Sequence, residues 1–251
     1  MQVQHKRGFG ARRQVLPPTL RRMSAAAKSL TKALPDLELK RAPLQARAVE
    51  TYERILSACA ELLAEVGIER LSTNLICRRA GISPPALYQY FPNKYAILHA
   101  LSLRLMQQQQ ALLTPWAQPA TMALPEAEFA RSVAELFLQL QALTVHMPAG
   151  VWVTRALRAV PSLQSVRKRS RDFLTDLFLQ PFVSAHPDAD VAQARLTIRL
   201  AIDSLYAAQE LLFDDPALDA RAVADTMAQM VAGQLLRSAR GRARQAPARS
   251  V

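Results

Sequence analysis

No run of this chain reaches the ~18 consecutive apolar residues that a membrane-spanning helix needs, and its start holds no apolar signal core. The expectation is a soluble cytoplasmic protein with no membrane partner. Glycine is scarce, seven in 251 residues, although half the chain is hydrophobic. That scarcity disfavours turn-rich β structure and favours long helices. Cysteine is limited to Cys59 and Cys77, too few for a disulfide framework or a cysteine metal site. Cys59 falls on an apolar helical stripe, so both are expected to pack. The histidines are scattered at His5, His99, His146 and His186, and no GxGxxG, P-loop, HExxH or nucleophile elbow occurs. No catalytic residue, metal ligand or cofactor is expected, and a small helical enzyme is the weakest reading.

Acidic residues are nearly missing from both ends. Residues 1–44 carry ten Lys/Arg against Asp36 and Glu38, and Arg237 to Val251 carries five arginines and no acid. The net charge of +12 thus sits almost wholly outside residues 45–236. This pattern describes a near-neutral body with two disordered basic ends, suited to holding a polyanion electrostatically. The Arg-rich, acid-poor start also has the composition of an organelle transit peptide, and Met23 offers a second possible start.

What is present is helical periodicity. Tyr52, Ile55, Leu56, Cys59, Leu63 and Val66 recur at helical spacing, and Gly67 stands where a left-handed cap belongs. Ser72 or Thr73 caps a second, short helix that stops at Gly81. Ser83 and two prolines open a third, which Phe91-Pro92 ends, and Asn93 caps a long fourth. Beyond the proline-bearing "TPWAQPATMALP" further helices are expected around Phe129–Leu140, Val151–Leu157 and Phe173–Phe178, the last stopping before Pro181. Helices over about 189–213 and 219–238 flank "DDPALD" as an antiparallel hairpin. No period-2 run qualifies as a strand, so the fold class is all-α.

The third helix is too short to stabilise itself, yet it holds two tyrosines and a glutamine. With Leu87 and Phe91 inward, Pro85 and Gln89 point away from the core, and Ala86, Tyr88 and Tyr90 lie on the flanks. Such a helix suits a DNA major groove: outward side chains meet base edges, and flanking hydroxyls meet phosphates. Gln89 can serve adenine, and Pro85 with Ala86 a thymine methyl.

The run "ILSACAELLAEVGIERLSTNLICRRAGISPPALYQYFPNKYAIL", and "LYQYFPNK" most specifically, resembles the N-terminal domain of the TetR family of bacterial transcriptional regulators. The resemblance covers residues 47–112. It implies a three-helix helix-turn-helix DNA-binding domain followed by a helical regulatory and dimerisation domain. It also implies double-stranded DNA, a second copy of the chain and an unidentified small-molecule effector as partners. By position it implies DNA contacts from Thr73, Asn74, Ser83, Pro84, Pro85, Ala86, Tyr88, Gln89, Tyr90 and Lys94. Pro85 stands where many members have glycine, which bears on the groove contact; Cys77 replaces a small alanine, a packing change. The chain then divides into a basic extension (1–44), the helix-turn-helix domain (45–92), an effector-binding and dimerisation domain (93–238) and a basic tail (239–251).

Phe137, His146, Trp152 and Arg155 are candidate linings of an effector pocket, although Phe137 and Trp152 also fit a plain core and Arg155 a surface charge. The final hairpin is apolar on more than one face, which marks Leu205 and Met230 as candidate dimer contacts. The leading expectation is a homodimeric, ligand-responsive repressor on a near-palindromic operator. The alternative is an architectural DNA-binding protein whose basic ends dominate and which senses nothing.

Overall fold

Ten α-helices and one 3₁₀ turn, without a strand, make up the described residues, 35–40 and 43–239, of a computed structural model. Residues 1–34 and 240–251, and with them most of both basic ends, lie outside the described residues.

Helix α1 (Ala46–Arg70) presents Ile55, Leu56, Cys59, Leu62 and Leu63 as one buried stripe. Gly67 takes φ 69°, the positive range expected of it, and interrupts the helix before a last turn to Arg70. In α2 (Thr73–Ala80) the cap is Ser72, whose hydroxyl accepts from the Leu75 N–H. Helix α3 (Pro84–Tyr88) is only five residues, with both prolines in its first turn, where N–H groups have no intrahelical partner. Asn93 caps α4 (Lys94–Leu113), accepting from Tyr95 and Ala96 N–H at 2.9 and 3.0 Å.

The "TPWAQPATMALP" segment is packed rather than free. It contains α5 (Pro119–Met122), and the Trp116 indole N–H donates to Ser132 Oγ at 2.6 Å. Helix α6 (Glu126–His146) turns through 99° into α7 (Gly150–Ala159). Pro161–Leu163 forms the 3₁₀ turn, and α8 (Gln164–Ala185) follows. Contrary to the expected stop, α8 runs through Pro181. Leu179, Pro181 and Phe182 are buried there, and burial of ~1.5–3 kcal/mol per large apolar side chain offsets the ~3 kcal/mol cost of an interior proline. Helices α9 (Val191–Asp214) and α10 (Ala220–Ala239) form the final hairpin and pack together.

The buried side chains form two clusters. One holds α1 to α3 and the first half of α4, joined by Met147, Val153, Leu157, Leu163 and Val166. The other holds Leu113, α6, α8, α9 and α10. Helix α4 runs from the first core into the second, so the physical division does not fall cleanly at residue 92. The N-terminal boundary shifts too, because Pro35–Lys40 lies on the first core. Leu37 packs there, Lys40 N–H donates to Tyr90 O at 3.0 Å, and Asn93 Nδ2 donates to Asp36 O at 2.8 Å. Among the described residues no single helix is long and apolar enough to cross a membrane.

Candidate DNA-binding site

The turn between α2 and α3 is fixed from below. Gly81 adopts φ 63°, ψ 41°, a left-handed conformation that a side chain would strain, and the Arg54 guanidinium bonds the carbonyls of Ala80 and Gly81. Arg79 pairs with Glu61 at 3.0 Å and Glu65 at 2.6 Å, tying α2 to α1. The same guanidinium holds the Glu65 carboxyl below its ordinary range. On the buried side of α3, Leu87 and Phe91 are fully enclosed, and Tyr52 stacks on Phe91 with ring centres 5.2 Å apart.

On the other side Ser83, Pro84, Pro85, Tyr88 and Gln89 are exposed, with Ala86 half-buried at the edge. Asn74 is exposed at the start of α2, and Thr73 is half-buried beside it. The Thr73 hydroxyl and the Tyr88 hydroxyl are hydrogen-bonded at 3.0 Å, which joins the N-terminus of α2 to the outer flank of α3. Eight of the ten expected contact residues therefore share one outward surface.

Two do not. Tyr90 is 7% exposed and meets Tyr52 edge-on, so its ring packs on the core, where the Tyr52 side chain of α1 covers that flank. Lys94 is half-buried, and its ammonium donates to the carbonyls of Ile68 at 3.0 Å and Leu71 at 2.8 Å. It satisfies carbonyls left over at the end of α1, a structural tie. Cys59 is also structural: burial pushes its thiol up to about 12.

The four candidate pocket residues are not brought together. Phe137 is buried and borders a small cavity, but His146 is exposed with Nδ1 at 2.7 Å from Ala142 O. Trp152 lies outside, under the Arg155 guanidinium at 5.3 Å, and Arg155 pairs with Asp214 at 2.5 Å and Glu210 at 3.6 Å. These groups clasp α7 to α9. Of the two candidate dimer contacts, Leu205 is half-buried and packs against the second cluster, whereas Met230 is 71% exposed.

Sequence reasoning passed over the interior of the second half. A cavity of about 50 Å³ touches Gln109, Arg158, Arg167, Arg171, Asp203 and Tyr206. A neighbouring cavity of about 30 Å³ is lined by apolar side chains from α4, α6, α8 and α9, with Gln109, Tyr206 and Gln209. The signal was available. Gln109 follows Leu105 and precedes Leu113 at four-residue spacing, so a glutamine sits in an apolar stripe.

Residues 55–101 match the family model described as bacterial regulatory proteins, tetR family. Among curated proteins, the regulator UidR of Escherichia coli K12 is 34% identical over 76 residues, 30% of this chain and 37% of that protein. The class C tetracycline repressor protein of Escherichia coli is 38% identical over 63 residues, 25% of this chain and 29% of that protein. The matched stretches thus span little more than a third of these relatives at most. Over the fold, Salmonella enterica GusR superimposes with a TM-score of 0.55 at 23% identity, covering 78% of this chain and all of that one.

Proposed function

The chain belongs, through residues 55–101, to the tetR family of bacterial regulatory proteins, and from that premise we propose a homodimeric, ligand-responsive repressor of a near-palindromic operator. The observation that carries the proposal is α3, a helix too short to stand alone, pinned by Leu87 and Phe91 and exposing Pro84, Pro85, Tyr88 and Gln89. In the major groove Gln89 offers adenine a donor and an acceptor, and Pro85 meets a thymine methyl. Thr73, Asn74, Ser83 and Tyr88 supply phosphate contacts that set the register.

The partner surface is proposed on the final hairpin. Leu196, Leu200 and Leu211 are 51%, 57% and 49% exposed, and their spacing places them along one side of α9. Met230 supplies the exposed counterpart on α10. A symmetric dimer through this surface would set two α3 helices one DNA turn apart, ~34–36 Å or a multiple. Helix α4 supplies the coupling, because it packs in the DNA-binding core and then lines both cavities through Gln109. An occupant that displaces α4 shifts the population of DNA-competent dimers.

Selection of binding sites from random duplex DNA with the full chain tests this. Enrichment of a two-fold related sequence supports the proposal. Retention of all duplexes alike, with a steep loss of affinity in salt, contradicts it and favours an architectural role.

A further inference from the structure

The two interior cavities meet at a partition formed by Gln109 of α4 and Tyr206 of α9, which border both. The larger is the polar end. Three guanidinium groups, Arg158, Arg167 and Arg171, face it against a single carboxylate, Asp203. Asp203 is taken by Arg171 at 2.7 Å, while Arg158 and Arg167 have no ion-pair partner among the described residues. Arg158 is exposed and Arg167 half-buried, so the surplus positive charge stands at the solvent side. The smaller cavity is the dry end, bounded by Leu113, Phe137, Leu140, Leu174, Phe178 and Ile202. At its far side Gln209 is 3% exposed, and its Nε2 has no hydrogen-bond partner. The Arg171 Nε is also buried and unpartnered.

Buried donors without acceptors are costly, and so are clustered like charges. At the polar end one kind of group answers both, an anion that neutralises the surplus charge and can accept from Arg171 Nε. The apolar walls of the other end suit a hydrocarbon and leave Gln209 Nε2 unserved. We propose that the two cavities are halves of one elongated site for an apolar chain bearing an anionic headgroup. This assignment rests on the ligand-responsive reading and names the chemistry of its site. The headgroup pairs with Arg158 and Arg167, whose planar forks suit a carboxylate or phosphate, and Asp203 is kept out of the way by Arg171. The tail passes the Gln109–Tyr206 partition into the apolar end. At about 50 and 30 Å³ the cavities are far below the ~300 Å³ of an ordinary ligand pocket, so entry must separate α4 from α9 at that partition.

The test is calorimetric titration of the full-length protein with sodium decanoate, decyl phosphate, 1-decanol and decylamine, alongside operator binding. Decanoate or decyl phosphate should bind at least ~10-fold more tightly than 1-decanol and decylamine, and which of the two is tighter identifies the headgroup. Shortening decanoate should weaken it about 4-fold per methylene, from ~0.8 kcal/mol per buried CH₂. The double variant Arg158→Gln/Arg167→Gln should erase the preference over decanol while leaving the circular dichroism spectrum and decanol affinity unchanged. The proposal is overturned if decanol or decylamine binds as tightly as the anions, if the double variant keeps the preference, or if no probe binds. Whether a bound probe releases the operator is scored separately. Binding without release supports this site and counts against ligand-responsive repression.

Discussion

Among the described residues up to 101 the only buried side chain with a polar oxygen or nitrogen is the Tyr90 phenol, whereas ten polar side chains are buried beyond residue 101, from Ser102 to Ser238. Eight are hydroxyls, and four of these, Ser102, Thr144, Thr154 and Thr175, return a bond to the carbonyl four residues earlier. Two are glutamines, and one of these, Gln209, has an amide nitrogen without a partner. The part up to residue 101 lines neither interior cavity, and its turn is held by Arg54 and Arg79. The part beyond residue 101 lines both cavities, with Leu105, Met106 and Leu157 of the first cluster among the walls of the larger. It also carries a ladder of ion pairs between α8 and α9, Arg171–Asp203, Asp172–Arg199 and Asp176–Arg195, all at 2.7–2.8 Å. Such part-exposed pairs are worth at most ~1 kcal/mol each, so they set the antiparallel register more than the stability. A surface that reads base edges has to hold its side chains in place. An interior that admits a ligand benefits from space and spare hydrogen-bonding capacity.

The sharpest way to break this contrast is to open a void in the part up to residue 101. Phe91→Ala should cost ~3–5 kcal/mol and abolish operator binding, read from urea unfolding and gel shift. A loss below ~1 kcal/mol would show that this part is as yielding as the one beyond it. Next in size, Leu200→Asp with Met230→Asp should make the protein monomeric and weaken operator binding at least ~100-fold, with helix content unchanged. Sedimentation velocity with circular dichroism checks it; a folded double variant that remains a dimer places the partner surface elsewhere. The smallest effect is expected among the cavity walls. Gln209→Leu removes an unpartnered amide, so stability should stay level or rise by up to ~1 kcal/mol, about 2–4 °C in Tm. A fall of several degrees would mean that this amide is bonded in solution.

Much of the fold was legible because local rules and packing agree. Asn93, Ser72, Gly67 and Gly81 sit where capping chemistry demands, and the Tyr52–Val66 stripe alone orients α1. The outer face of α3 was legible from helical geometry through Tyr88. Tyr90 was not, because it stands on the flank of the helix, where cover depends on the Tyr52 ring from a distant part of α1. The tie that Lys94 makes was not legible, because the carbonyls of Ile68 and Leu71 that its ammonium meets belong to a turn distant in sequence. Pro181 stayed inside a helix because tertiary burial outweighed the local cost, which no window of sequence contains. The residues of the two cavities come from five helices, α4 and α6 to α9, far apart in the chain, so only the three-dimensional structure brings Arg158 and Arg167 to one cavity and Phe137 and Gln209 to the other.

The central claim is that α3 reads base edges through Gln89. Equilibrium binding of the wild-type chain and of Gln89→Ala to the selected operator and to every single-base variant of one half-site tests it most directly. The variant should lose ~1–3 kcal/mol on the operator and become indifferent at a single base position, with all other preferences kept. An equal loss on every sequence, with the full pattern of preferences intact, would contradict base reading by Gln89 and leave α3 as a phosphate-positioning element only.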